Sequence, residues 1–599
     1  MTAIVILGER SLPLAQKVMA CLADADIHGP IGCSSPVDVR FGKVLDHLGG
    51  LYRDGVPTVF IGAAGIAIRA TAAMLGDKHA EPPLLAMAED GSVVVPLLGG
   101  HRGANELARL IAASTGGVAA ITTAGDVRLG VALDEPPTGF VCTDPAPAKA
   151  LAVHLMEGGG VRLEDPLDLA AAAGVAHLRQ DPHSPWTMSI DDRRQQPDPR
   201  HLVWYPRTLA LGVGCERNVP PELLIQHALA TLAEADLAPE AIAAVVSIDL
   251  KSDEPAVLAL ADRLRVPARF FSADALLGQT ERLSSRSDAV FREVGCYGVA
   301  EGAALAAAGP EAHLLVPKVR GERVTCAVAA SPVPLDAMQF GRARGRLFVV
   351  GVGPGQRAWR TREVEELLAE ASDVVGYSLY LDLVSDRIGK ADRHDFALGE
   401  EEARCRHALA LAAQGKNVAL VCSGDAGIFA MASPLVELLE RPDDPTWLRV
   451  DLVVAPGISA MQAAAARLGA PLGHDFCAIS LSDLLTPRPD IERRLEAAAF
   501  GDFVIAFYNP VSRRRRDLLP LAREILLRHR PASTPVAIAR SLGRPEESID
   551  VTTLADLHVE QVDMLSLVMV GSSNSRQLTL PSGRNLILTP RGYDRKSRP

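Results

Sequence analysis

The chain has 599 residues, 48% of them hydrophobic and 22% charged, with a formal net charge of -12. At about 150 residues per domain that length suggests roughly four units, each able to bury a sizeable core. The acidic balance argues against nucleic acid or a membrane surface as a whole-surface partner, and leaves room for an anionic small molecule held by local basic groups.

Aromatic residues are 4%, and alanine, valine, leucine and glycine dominate, which favours α/β layers with close-packed helices. The nine cysteines include no C-x-x-C pair. This points to reduced, cytoplasmic usage, with no metal knuckle and no disulfide frame. The opening "MTAIVILGER" reads as a first strand and not a signal peptide. No apolar stretch reaches the ~20 residues of a membrane span.

Taken in order, residues 1–135 alternate short apolar runs with helical patterns, the mark of an α/β unit. "TVFIGAAGIAIRA" (58–70) is strand, glycine turn and helix start, and "SVVVPLLGGHRGANELARLIAAS" (92–114) repeats the plan. Residues 136–206 form a middle region or linker, in which the polar, proline-rich 181–201 reads as a loop. A second α/β unit covers 207–330, and 331–345 reads as a further linker. The last unit, 346–599, offers the strands "RLFVVGV", "NVALVCSG", "RVDLVVA", "FVIAFYN", "TPVAIAR" and "LSLVMVG". Several of them run into Gly, Pro or Asn loops. Ligands of open α/β sheets bind outside the carboxyl ends of strands, so these loops are candidates for one shared site.

The first of these loops, "GVGPGQ" (351–356), is not a dinucleotide fingerprint, because its glycines alternate and Pro354 removes an amide from the place a phosphate needs one. It also lacks the Gly-Lys-Ser/Thr ending of a P-loop. In "SGDAGIFAMA", Asp425 is a candidate cap for a helix over "AGIFAMASPLVELL", a candidate ligand contact, or both. In "YNPVSRRRR", Ser512 is a candidate helix cap. Helical spacing would then put Arg513 and Arg516 on one face, where they could grip substrate carboxylates; the alternative is a solvated face.

The loops of 346–580 together resemble the tetrapyrrole C-methyltransferases that use S-adenosylmethionine. The features are "VGVGPGQ", "ASDVVGYSLY", "VCSGDAGIFAMASP", "VVAPGISAMQAAAARLGAPLGHDF", "ISLSDLLTP", "FYNPVSRRRR" and "DMLSLVMVGSSNSR". "GAPLGHDF…ISLSDLLTP" followed by "YNP-x-S-x-x-R" resembles the precorrin-3B C(17)-methyltransferases of the CobJ/CbiH type. The resemblance implies a two-lobed α/β methylase domain that works as a homodimer. It implies donor contacts at Gly353, Pro354, Gly355, Gly424, Asp425, Ala426, Gly427, Ile428, Tyr508, Asn509, Pro510, Ala539, Met569 and Val570. Ser482, Asp483, Arg513 and Arg516 are the expected substrate contacts. The reaction implied is methylation at carbon 17 with ring contraction to precorrin-4. Gln356 stands where the family often has Asp.

In the first 340 residues, "IGAAGIAIRATAAML", "VVVPLLGGHRGANELA", "ITTAGD", "ALGVGCERNVPPELL", "SIDLKSDEPAVLALADRL", "GVAEGAAL" and "LLVPK" resemble the CbiG family. That family is associated with opening the ring-A lactone of cobalt-precorrin-5A. The candidate groups are His101 as general base, Cys215 as nucleophile, Lys251 as a carboxylate contact, and Glu301. Packing roles are the alternative for His101 and Cys215. A non-catalytic module that holds labile tetrapyrroles is the alternative for the whole half. A nucleotide-dependent oxidoreductase is disfavoured by the glycine spacing.

Overall fold

A computed structural model describes residues 2–22, 25–76, 80–122, 128–389, 391–512 and 515–593, with the His101 side chain outside the description. The chain divides into two units, Met1–Arg344 and Gly345–Pro599. Both are α/β. Among the described residues, no helix is long and apolar enough to cross a membrane.

Among the described residues the first unit holds three sheets. The leading one has seven strands, in the order Val39–Phe41, Ala25–Pro30, Thr2–Ile6, Thr58–Ile61, Leu84–Met87, Val93–Leu98 and Val118–Ala119. Only the pairing of Leu84–Met87 with Val93–Leu98 is antiparallel. Its central strands are buried on both faces: Ile4 and Ile6 join one core while Ala3 and Val5 join another. Such two-sided burial explains continuous apolar runs in place of alternation.

The second sheet has four strands and surrounds Trp204, whose indole N–H donates to the Leu133 carbonyl at 3.2 Å. Here the loop expected over 181–201 is corrected. Thr187–Ile190, "TMSI", is a fully buried strand pairing on both sides. Four apolar-leaning residues between proline- and aspartate-rich flanks carry too little periodicity to reveal a strand.

The third sheet runs Ala268–Phe271, Ile242–Ile248, Leu209–Cys215, Val324–Ala330, His313–Arg320. Helix Val299–Ala308, "VAEGAALAAA", presses directly on strand Leu209–Cys215. A Cβ at Gly212 would fall 1.9 Å from the Ala300 carbonyl oxygen, so only glycine permits that approach.

The second unit has two lobes. The first is an all-parallel sheet ordered Asp392–Phe396, Asp373–Tyr377, Asn417–Cys422, Arg346–Gly351, Asp451–Ala455. The second lobe is ordered Phe476–Ser480, Val504–Tyr508, Ser566–Val570, Pro535–Arg540, Ser548–Thr553. In it Ser566–Val570 runs antiparallel to both of its neighbours. The carboxyl ends of Phe476–Ser480, Val504–Tyr508 and Pro535–Arg540 therefore share one edge. A three-stranded sheet of Gly469–Ala470, Asn585–Leu588 and Arg576–Thr579 completes the unit.

Candidate functional site

Three loops meet at the carboxyl edge of the first lobe, backbone against backbone. Gly353 and Gly424 exchange amide–carbonyl hydrogen bonds of 3.1 and 2.8 Å. Both are left-handed, with φ of 76° and 72°. A Cβ at Gly457 would lie 2.1 Å from the Gly424 oxygen and 2.3 Å from that of Gly351. No helix starts at "GVGPG". The next long helix, Arg362–Glu370, opens at Thr361, whose hydroxyl accepts from the Val364 amide at 3.3 Å. The alternating glycines thus build a junction of loops and leave no helix N-terminus for a phosphate.

Asp425 does not cap a helix over "AGIFAMASPLVELL". The helix is confined to Ala432–Glu440, and residues 425–431 form turns ahead of it. One Asp425 oxygen accepts from the Gly427 amide at 2.8 Å, and the other from the Gly457 amide at 3.0 Å. Ala426 is buried in the lobe's core, while Gly427 is exposed and Ile428 half-buried. An added Cβ at Gly424 would find its nearest neighbours, the Ala460 amide nitrogen and Ser459 Cα, only at 3.9 Å. Free space therefore faces the start of helix Ala460–Leu468, which Ser459 and Gln462 close as a capping box.

The second lobe adds Tyr508, whose hydroxyl accepts from the Met461 amide at 3.2 Å. Burial pushes that phenol up, so it stays neutral. Its ring lies 5.2 Å from Phe429, an exposed aromatic at φ 50°. Phe429 and Gly457 were not among the residues singled out from the sequence; a lone aromatic and one more glycine give no periodic signal. Asn509, also left-handed, donates to the Ser480 hydroxyl at 3.1 Å, and Pro510 is buried behind it.

Ala539 and Met569 share the core beneath helix Ala460–Leu468 with Met461. Val570 is placed differently from expectation. It pairs with Ile505 and Val536 and faces the opposite core, at the edge of the sheet remote from the loops. The antiparallel course of its strand is the reason.

Of the arginine run, Arg513 and Arg514 lie outside the described residues. The helix expected after Ser512 is also corrected, since it starts at Leu518. Ser512 closes a turn instead: its hydroxyl accepts from the Arg515 amide at 3.2 Å. Arg516 donates to the Val559 carbonyl at 2.9 Å. Arg515, not Arg516, is the arginine facing Asp483, at 3.6 Å. Ser482 donates its amide to the Ser480 hydroxyl at 3.4 Å, so both loops of this edge converge on Ser480. Next to them Leu485 is 97% exposed.

In the first unit, His101 falls in a 3-10 turn between left-handed Gly99 and Gly103. Cys215 ends its strand half-buried, and burial lifts its thiol to about 11 despite the opposing pull of Lys251. It is a neutral thiol at pH 7. Lys251 is 3.2 Å from the fully buried carboxylate of Glu254, which also accepts from the Asn218 amide at 3.0 Å. Glu301 is 1% exposed. Its carboxylate accepts from the Ser284 hydroxyl, from the Ser284 amide at 2.8 Å and from the Lys318 amide at 2.7 Å. It ties the 279–287 loop to strand His313–Arg320. Cys215 and Lys251 share one electrostatic neighbourhood, whereas Glu301 is occupied as a structural tie.

A backbone-lined recess beside Gly424, with polar amides and the Phe429 and Tyr508 rings nearby, suits a small zwitterion joined to an aromatic base. S-adenosylmethionine is of that kind, so the residues present fit it.

Residues 346–558 match the family "Tetrapyrrole (Corrin/Porphyrin) Methylases". Residues 209–329 match "Cobalamin synthesis G C-terminus" and 46–126 match "Cobalamin synthesis G N-terminal". A "Probable cobalt-factor III C(17)-methyltransferase" of Salmonella typhimurium is 47% identical over 247 residues, which is 41% of this chain and 99% of that protein. A "Precorrin-3B C(17)-methyltransferase" of Sinorhizobium sp is 44% identical over 252 residues, 42% of this chain and 97% of that one. "Cobalamin biosynthesis protein CobIJ" of Mycobacterium bovis is 43% identical over 291 residues, 46% of this chain and 56% of that protein.

Proposed function

Because the chain belongs to the tetrapyrrole (corrin/porphyrin) methylases, we propose that residues 346–599 methylate carbon 17 of precorrin-3B, or of its cobalt-bearing counterpart, in cobalamin biosynthesis. Ring contraction to precorrin-4 accompanies the transfer. The observation that carries the reading is the junction of Gly351, Gly353, Gly424 and Gly457, where missing side chains let three loop backbones touch while Gly424 faces open space at the carboxyl edge of the sheet.

When bound, S-adenosylmethionine supplies an electrophilic methyl group. The chain's own residues orient and enclose. Asp425 holds two loops of the recess at fixed spacing through the Gly427 and Gly457 amides. Tyr508, neutral and pinned by the Met461 amide, presents a rigid wall. Holding two reactants in line is worth up to ~7–11 kcal/mol of the barrier, so no covalent intermediate on the protein is needed. With a net charge of -12, the charges that hold a polycarboxylate macrocycle must be local. The enzyme works in the cytoplasm as a homodimer paired through residues 346–599.

The first unit opens the ring-A lactone of cobalt-precorrin-5A in this reading, with water and not Cys215 as nucleophile. The neutral Cys215 thiol and the fully engaged Glu301 favour a second reading, a module that holds the pigment without changing it. Release of acetaldehyde from cobalt-precorrin-5A supports opening; a bound, unchanged pigment supports holding. For the methylase, incubation with S-adenosylmethionine and precorrin-3B or its cobalt counterpart is expected to add one methyl group. No mass change with either overturns the reading.

A further inference from the structure

Arg404 is 3% exposed in helix Glu401–Ala413. Its guanidinium donates to the Ala397 carbonyl at 3.2 Å and to the Met431 sulfur at 3.7 Å, and its Nε finds no partner. No carboxylate among the described residues forms an ion pair with it. A buried cation without a counter-charge is costly, and that cost falls when a ligand anion arrives.

A second guanidinium that forms no ion pair among the described residues, Arg544 of the second lobe, lies against the loop after strand Arg346–Gly351. Gly355 and Gly543 let two turns lie directly on each other: a Cβ on Gly355 would meet the Gly543 oxygen at 2.6 Å, and one on Gly543 would meet the Gln356 nitrogen at 2.9 Å. This contact sets Arg544 against "GPG", with Nε 3.4 Å from the Pro354 carbonyl. The nearby acid does not neutralise it. Glu547 is taken by Arg467 at 2.7 Å and by the Gly543 amide at 2.7 Å. Tyr380, just past strand Asp373–Tyr377, is half-buried and packs against the core cluster of Val350 and Val352 that leads into "GVGPG". Its hydroxyl feels the field of Arg544 and, more weakly, of Arg404, and makes no hydrogen bond among the described residues.

We propose that Arg544 and Tyr380 form a carboxylate-binding subsite at the floor beside "GVGPG". The inference rests on the reading of residues 346–599 as a tetrapyrrole methylase. The carboxylate belongs to an acetate or propionate arm of the macrocycle or to the methionine part of the donor, and affinity measurements separate the two. Arginine recognises either by paired N–H donors, and a phenol adds a third.

The test uses the full chain, titrated calorimetrically with precorrin-3B and, separately, with S-adenosylhomocysteine. Arg544→Gln is expected to weaken one of them by about 10- to 150-fold, and Tyr380→Phe by about 2- to 10-fold. Arg544→Lys should recover part of the loss. Loss for precorrin-3B alone assigns the carboxylate to the macrocycle; loss for S-adenosylhomocysteine alone assigns it to the donor. If the parent binds neither compound, the methylase reading fails and the subsite with it. If the parent binds both and each variant, folded by its melting profile, keeps both affinities, the subsite alone is overturned. Should Arg544→Gln not fold, the Tyr380→Phe result decides in the same way.

Discussion

The Asp425 carboxylate accepts the Gly457 amide at 3.0 Å and so joins the loop after strand Asn417–Cys422 to the loop after strand Asp451–Ala455, across the strand between them. The same carboxylate accepts the Gly427 amide at 2.8 Å. One side chain thereby sets the width of the recess beside Gly424.

Asp425→Ala should leave two amides without their acceptor. A lost charged hydrogen bond is worth about 1.5–3 kcal/mol, so S-adenosylhomocysteine affinity should fall by about 10-fold or more. Asp425→Asn, which keeps one acceptor, should lie between. Calorimetric titration checks this, and unchanged affinity in Asp425→Ala would show that the loop tie does not shape the donor recess.

Gly457→Ala should be far worse than Gly427→Ala. A Cβ at 457 would meet two carbonyl oxygens at 2.1 and 2.3 Å, both backbone. At 427 its nearest neighbour is a side-chain oxygen of Asp425 at 3.3 Å. Overpacking of that kind costs about 1–3 kcal/mol or forces the strands apart. Thermal melts and donor titrations of the two variants provide the comparison; equal behaviour would mean that the three backbones are not in contact.

Cys215 should alkylate slowly at pH 7 and speed up only as the pH nears about 11, where its thiol ionises. Peptide mass spectrometry after a timed iodoacetamide pulse gives the rate. Cys215→Ser should retain any lactone opening by the first unit. Rapid labelling at neutral pH would restore Cys215 as a candidate nucleophile.

Acid should weaken the first unit through His28. Burial, reinforced by His47 2.8 Å away, lowers its pKa from 6.5 to about 4. The group is kept neutral when folded but protonates when unfolded. Its contribution is therefore intact above pH 6.5 and is lost as pH falls toward about 4, by up to about 3 kcal/mol. Urea unfolding at pH 7 and pH 5, followed in parent and His28→Leu, should show a shallower pH dependence in the variant. Parallel pH profiles would contradict the assignment.

The α/β class was readable because strands such as "RLFVVG" and "NVALVC" are continuous apolar runs ending in glycine or cysteine loops, a pattern that two-sided burial imposes. Thr187–Ile190 escaped because four residues carry no period. Asp425 and Ser512 both resemble helix caps in sequence, but each side chain satisfies loop amides some residues before a helix begins. Arg544 reaches the Pro354 carbonyl, 190 positions away, only through the contact of two glycine turns, which no local pattern encodes. The direction of strand Ser566–Val570, and with it the place of Val570, is a property of pairing and not of the segment.

The most direct test of the account is one incubation of the full chain with methyl-labelled S-adenosylmethionine and precorrin-3B, repeated with the cobalt-bearing counterpart, and product analysis by mass and by carbon-13 resonance. The expected result is one labelled methyl on carbon 17 of a ring-contracted product from one of the two substrates. Label on another carbon, or no transfer to either macrocycle by a chain that binds S-adenosylhomocysteine, would contradict it.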